Sequence, residues 1–125
     1  MKNKGAVLAV DRNQRNLELL TKFLNQAGYA TLQATNYEQF DDILGQAEVK
    51  TITVSLALVD IAGFDVTFWE RCTRLQALDV PLLILSAKQS QALQQESIAH
   101  GVQGVLINPL VIKDLLKIVG SLVEN

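Results

Sequence analysis

The sequence predicts an α/β domain in which five strand–helix units alternate around an open parallel sheet. Three observations carry this reading. Short apolar runs recur along the 125 residues, each closing on a polar residue. After each run the apolar positions change to helical spacing. The connections are short, as they are when each helix returns the chain to the start of the next parallel strand. The length fits one domain with a proper core, so residues 1–125 are read as a single unit.

The first run, Ala6 to Val10, is closed by Asp11. It lacks alternation because a strand in a parallel sheet is covered on both faces. From about Asn13, Leu17, Leu20, Leu24 and Ala27 mark a helix, with Leu19 and Phe23 beside them and Gly28 as its stop. Tyr29 to Thr35 alternates and reads as the second strand. Thr35-Asn36-Tyr37-Glu38 has the form of a capping box, and Tyr37, Phe40 and Leu44 continue a helical face to about Gly45. The third strand, Ile52 to Val59, ends in Asp60. After the turn Ile61 to Phe64, Asp65 is the expected cap of a helix carrying Phe68, Trp69, Cys72 and Leu75. Pro81 opens a fourth strand, Leu82 to Leu85, that ends in Ser86. A weaker helix, about Ser90 to His100, has a thin apolar face of Leu93, Ile98 and Ala99 and is expected to be the most exposed and mobile. Val105 to Ile107 is the fifth strand, followed by Asn108-Pro109, whose bond is a candidate cis peptide. Ile112, Leu115, Leu116, Val119 and Leu122 define the last helix.

Composition narrows the function classes. The chain is 49% hydrophobic and 19% charged with a formal charge of −2, which is globular and not disordered. Lys and Arg are scattered, so no nucleic-acid surface is expected. No apolar stretch approaches the ~20 residues of a membrane span. The one cysteine, Cys72, excludes an internal disulfide and suits a reducing cytoplasm, the expected location. There is no phosphate-cradling glycine loop, no G-x-S-x-G elbow and no metal-type Cys/His spacing, which weakens the reading as a nucleotide binder or hydrolase.

Ligands of open α/β sheets bind beyond the carboxyl ends of the strands. Those ends carry Asp11 and Arg12, Asp60, Ser86 and Asn108. Two carboxylates, a hydroxyl and an amide at one edge suit a small cation and an oxyanion. Arg12 is expected to pair with Asp60 or Asp11, since neighbouring carboxylates repel unless a cation is present. Otherwise Asp11 is a helix-start cap and Ser86 a loop hydroxyl.

At these residues the chain resembles the receiver domain of bacterial two-component response regulators. The resembling pieces are Val7 to Asn13 with Asn16 to Leu20, Leu58 to Ile61, Val80 to Ala87 and Gly104 to Pro109. The resemblance implies a flavodoxin-like fold with strand order 2-1-3-4-5. It implies that Asp60 is the phosphoacceptor, that Asp11, Asp60 and the carbonyl of Ala62 hold a magnesium ion, and that Ser86 is the switch hydroxyl. Four departures accompany it. Arg12 stands where the family usually has a second acid, Asn108 replaces its lysine, and Val105 occupies the position of a switch aromatic. The loop Ile61 to Phe64 is about two residues short and lacks a proline, as judged from the resemblance. Magnesium is therefore expected to be weakly held or lost. The function implied is a phosphorelay receiver with a sensor histidine kinase or other signalling protein as partner and homodimerisation as an option. Any enzyme activity would be limited to self-phosphorylation from a phosphodonor. The alternative is a pseudo-receiver that works as an interaction module without phosphorylation. His100, Cys72 and Trp69 are expected to be structural.

Overall fold

A computed structural model describes residues 5–124. Its elements are β1 (Ala6–Val10), α1 (Gln14–Gln26), β2 (Thr31–Ala34), α2 (Tyr37–Glu48), β3 (Val54–Asp60), α3 (Phe68–Ala77), β4 (Leu82–Ser86), α4 (Gln91–Ala99), β5 (Gly104–Ile107) and α5 (Ile112–Val123). The five strands form one sheet in the order β2-β1-β3-β4-β5, and every neighbouring pair is parallel. This is the flavodoxin-like arrangement.

The apolar strands divide their side chains between two cores because successive residues of a strand face opposite ways. Leu8, Val10, Val59 and Ile84 pack with Phe40 of α2 and Phe68 of α3 on one side. Val7, Leu56, Leu58 and Leu83 pack with Leu24 of α1 and Leu115 of α5 on the other. Crossovers on both faces leave β3 and β4 with almost no exposed side chain.

Local chemistry sets the helix starts. Asn13 Oδ1 accepts the Asn16 N–H at 3.0 Å, and Ser90 Oγ accepts that of Leu93 at 3.2 Å, each satisfying a donor that has no intrahelical partner. Gly28 ends the α1 unit at φ +97°, a conformation that glycine adopts without a Cβ penalty.

Five details differ from the sequence expectation, while the candidate cis bond is found. The second strand is shorter, Thr31–Ala34. Its following cap is Asn36, not Thr35: Asn36 Oδ1 accepts the Gln39 N–H, while Gln39 Oε1 turns back to the Thr35 N–H. The box is thus shifted by one residue because both Thr-x-x-Glu and Asn-x-x-Gln satisfy its pattern. Helix α2 continues to Glu48, burying Ala47. In α4 the buried residue is Ser97, while Ile98 is 75% exposed. Asp65 caps one turn early: its carboxylate accepts from the Thr67 N–H and hydroxyl, and α3 begins at Phe68. The Asn108–Pro109 bond is cis.

Candidate functional site

Strand parity decides what meets at the carboxyl edge. Asp11 continues the side of Val7, Asp60 that of Leu56 and Leu58, and Asn108 that of Leu106, all on the α1/α5 face. Ser86 continues the side of Leu82 and Ile84 and belongs to the opposite face. A groove of about 350 Å³ opens at this edge, with Asp11, Asp60, Asn108 and Asn16 among its polar lining residues. Its walls are apolar and come from α1 (Leu19, Leu20, Phe23) and α5 (Ile112, Leu115).

Three of the sequence-derived positions therefore share one groove: Asp11, Asp60 and Asn108. Ser86 lies on the same edge, paired in register with Ile107, but is not a wall of it. Its Oγ donates to the Lys88 carbonyl at 2.8 Å and accepts the Lys88 N–H at 3.3 Å. The hydroxyl is thus engaged in its own β4–α4 loop.

Asp11 is only 7% exposed. One carboxylate oxygen, Oδ1, accepts the Asn13 N–H at 2.8 Å. Burial pushes its pKa up, the Asn13 hydrogen bond offsets part of this, and the negative charge of Asp60 pushes it further up. Asp60 is half-buried, and its Oδ1 accepts the Ala62 N–H at 3.0 Å, which folds the loop over the strand end.

The expected pairing of Arg12 with this acid pair does not occur. Its Nη1 donates to the Gly63 carbonyl at 3.1 Å, and its guanidinium carbon lies 5.9 Å from the Phe64 ring centroid, within cation–π range. Gly63 has φ +82°, and a Cβ there would stand 2.9 Å from Arg12 Cδ. The short loop presents a carbonyl and a ring to Arg12, and both keep the exposed guanidinium partly in water, whereas reaching the acids would cost its desolvation. Among the described residues the ion pairs run between Arg71 and Asp41, Arg74 and Asp41 or Glu48, and His100 and Glu96, and none reaches Asp11 or Asp60.

Val105 is half-buried and packs against the α2/α3/α4 core. On that side an aromatic series was not foreseen from the sequence. Tyr37 stacks on Phe64 at 4.8 Å between centroids, Phe64 on Phe68 at 6.2 Å, Phe68 meets Trp69 at 5.2 Å, and Trp69 stacks on His100 at 4.7 Å. Tyr37 and His100 come from segments distant in sequence, so only the closeness of Phe64, Phe68 and Trp69 at the start of α3 hinted at it. His100 also caps α4, with Nδ1 2.8 Å from the Glu96 carbonyl oxygen. Cys72 is buried and its thiol is pushed up to about 12, which leaves it inert. The α1 wall of the groove was also missed; its one signal was Leu19, an apolar residue off the buried stripe that is 53% exposed.

Comparison with known proteins agrees with this fold. The family model described as response regulator receiver domain matches residues 7–120. The transcriptional regulatory protein GltR of Pseudomonas aeruginosa is 26% identical over 123 residues, covering 98% of this chain and 50% of that protein. The chain thus spans about half the length of the curated relative it matches. Chemotaxis protein CheY4 of Vibrio cholerae superposes with a TM-score of 0.78 at 25% identity, covering 95% of this chain and 98% of that one. A response regulator of Burkholderia pseudomallei, solved with a phosphorylated aspartic acid, a calcium ion and citrate, gives 0.78 at 21% identity over 95% and 66% of the two chains.

Proposed function

This chain belongs to the response regulator receiver domain family, and from that premise we propose that Asp60 is its phosphoacceptor. The supporting observation is the placement of Asp60: half-buried at the end of β3, opening onto the groove, with Oδ1 fixed by the Ala62 N–H and no hydrogen-bond partner on Oδ2 among the described residues. An ionised carboxylate oxygen attacks the phosphorus of a phosphohistidine or small phosphodonor. The new O–P bond forms as the donor's bond to phosphorus breaks, and the leaving group departs with that electron pair. Asp60 gives up no proton in this step.

Receiver domains commonly bind magnesium. The acid pair here fits an oxygen-liganded divalent ion, because two carboxylates repel one another and, among the described residues, no basic side chain forms an ion pair with either. Asp11, Asp60 and the Ala62 carbonyl are the residues that would hold it. The donor set is sparse: no group of three or more His, Cys, Asp or Glu suited to a metal exists among the described residues. Weak binding is therefore expected. When bound, the ion would neutralise crowded phosphoryl oxygens. The chain's own contribution is positional. Arg12 holds Gly63 and thereby the loop that carries Ala62, and the Asn108 amide lines the groove as a neutral donor where the family has a cation.

A second reading, an interaction module that works without phosphorylation, is favoured by Ser86. Its hydroxyl is committed to Lys88 and would have to leave two hydrogen bonds to reach a phosphoryl group. Intact mass after incubation with phosphoramidate and magnesium separates the two. One added phosphoryl group in the wild type, absent in Asp60→Asn, supports the phosphoacceptor. No addition under conditions that label an active receiver favours the second reading. Partners follow accordingly: a sensor histidine kinase in the first case, another signalling protein or a second copy in the other. No helix among the described residues is long and apolar enough to cross a membrane.

A further inference from the structure

We infer that Trp69 and His100 form a pH-sensitive clamp: the protonated imidazole holds the C-terminal end of α4 against α3, and the neutral ring holds it less firmly. The inference is independent of phosphorylation at Asp60.

Helix α4 has few other anchors. Ser97 is its one buried residue, and Ile98 lies mostly in water. At the C-cap, His100, α3 reaches across. The Trp69 ring stacks on the imidazole with centroids 4.7 Å apart and planes 17° from parallel. About two turns further along α3, the Gln76 amide packs so closely on Gly101 that a Cβ there would collide with it. Residues 100 and 101 are thus gripped by α3, whereas the body of α4 is not.

The bonding of the ring decides where a proton goes. Nδ1 lies 2.8 Å from the Glu96 carbonyl oxygen. A carbonyl only accepts, so Nδ1 carries a hydrogen and Nε2 of the neutral ring holds the lone pair. A proton taken at Nε2 adds a full charge without breaking this bond. Three neighbours favour that charge. Glu96 Oε2 lies 3.8 Å from Nδ1. The carbonyls of the last turn of α4 form the negative end of its dipole. The Trp69 indole offers the best of the aromatic faces to a cation. No neighbouring cation opposes it. Arg71 and Arg74 of α3 are held by Asp41 and Glu48 of α2, Glu70 of α3 is exposed, and β5 has no charged residue. Among the described residues, the ion pair with Glu96 is the one that reaches His100.

The closed clamp favours the charged ring. Its contribution is therefore fully present at the acid end of the range in which an imidazole titrates, and is lost as pH rises through that range. What it sets is the freedom of α4, the helix that follows the Ser86 loop.

The chain has one tryptophan and one histidine, so each reports without interference from another of its kind. Trp69 emission, followed from about pH 5 to about pH 8, should show a single one-proton step, dimmer in acid because imidazolium quenches a stacked indole. The step should vanish in His100→Gln. Hydrogen exchange reads the clamp itself, through protection of the Ser97, Ile98 and Ala99 amides corrected for the intrinsic pH dependence of exchange. The gain in protection from the alkaline to the acid end should be about three- to tenfold larger in the wild type than in His100→Gln. Taking the gain relative to His100→Gln removes acid-linked effects from elsewhere, Asp11 among them. Trp69→Leu should lose most of this excess. An equal gain in the wild type and His100→Gln overturns the proposal, as does an emission step that persists in His100→Gln, or a Trp69→Leu chain that keeps the whole excess. The emission titration of unaltered protein guards against a variant that folds poorly, since the absence of any step there also overturns the clamp.

Discussion

Helices α4 and α5 flank the same edge strand, β5, yet they hold the sheet in opposite ways. Helix α5 buries Leu115, Val119 and Val123 in a core shared with Leu56 and Leu58 of the central strand. Helix α4 buries Ser97 alone, and the Ser97 Oγ has no hydrogen-bond partner. Its largest aliphatic side chain after Leu93, Ile98, points to water at 75% exposure. The edge is thus gripped firmly from the face that carries Asp11, Asp60 and Asn108, and loosely from the face that carries Ser86. Low burial and an unmet polar group are what local opening requires. The acids sit on a rigid floor, while the segment beside the hydroxyl is free to rearrange at small cost.

The sharpest way to break this contrast is Leu115→Ala. Removing a fully buried leucine from the α5 core should cost about 2–5 kcal/mol, measured by chemical denaturation. A loss no larger than that of an exposed substitution would show that α5 is not the firm side. Ser97→Ala should act in the reverse direction. It removes a buried hydroxyl without a partner and replaces it with the best helix former, so a gain of about 1 kcal/mol is expected. If stability falls instead, Ser97 has a partner that the contrast omits. Hydrogen exchange sharpens the same point: α4 amides should exchange through openings well below the global unfolding free energy, and those of Leu115 and Val119 near it.

The acid pair supplies a pH test of the rigid face. Asp11 is buried and beside Asp60, so its folded-state pKa lies above the unfolded value. Between the two values the folded state binds more protons than the unfolded state. The contribution of Asp11 is therefore fully present below its unfolded pKa and is lost as pH rises through the folded one. Asp11→Asn should flatten this slope and raise stability at neutral pH, seen by comparing denaturation midpoints in acid and at pH 7. An unchanged slope would mean that Asp11 is solvated. The smallest effect is expected at Ile98→Gln, within about 0.5 kcal/mol, since the side chain is mostly in water already.

The sequence was informative where chemistry is local and silent where distance or facing decides. Apolar runs closed by Asp11, Asp60 and Ser86 mark the strand ends because polar side chains are excluded from a sheet covered on both faces. The same property hides the side on which each end residue falls. In Leu82 to Ser86 both faces are apolar, so composition does not reveal that Ser86 follows Leu82 and Ile84 away from the groove. Counting by twos along the strand would have done so. Arg12 misled for another reason. Its neighbour in sequence is an acid, but its partner is the carbonyl of Gly63, 51 residues on, and no periodicity connects the two. The start of α2 was ambiguous at the level of atoms, with two overlapping capping patterns and only one able to win.

The clasp between Arg12 and Gly63 has a genetic consequence. Position 63 is limited twice, by its φ of +82° and by the 2.9 Å approach that a Cβ would make to Arg12. Shortening residue 12 lifts the second limit and leaves the first. An Arg12→Asp change intended to restore an acid therefore also unties the loop after Asp60, and its effect mixes charge with loop freedom. Arg12→Met separates them by keeping the stem over Gly63 without the charge or the hydrogen bond. Substitutions at 12 and 63 are in this sense epistatic: the fitness of either residue is defined only with the other specified, and an inherited change at one narrows what the other is able to become.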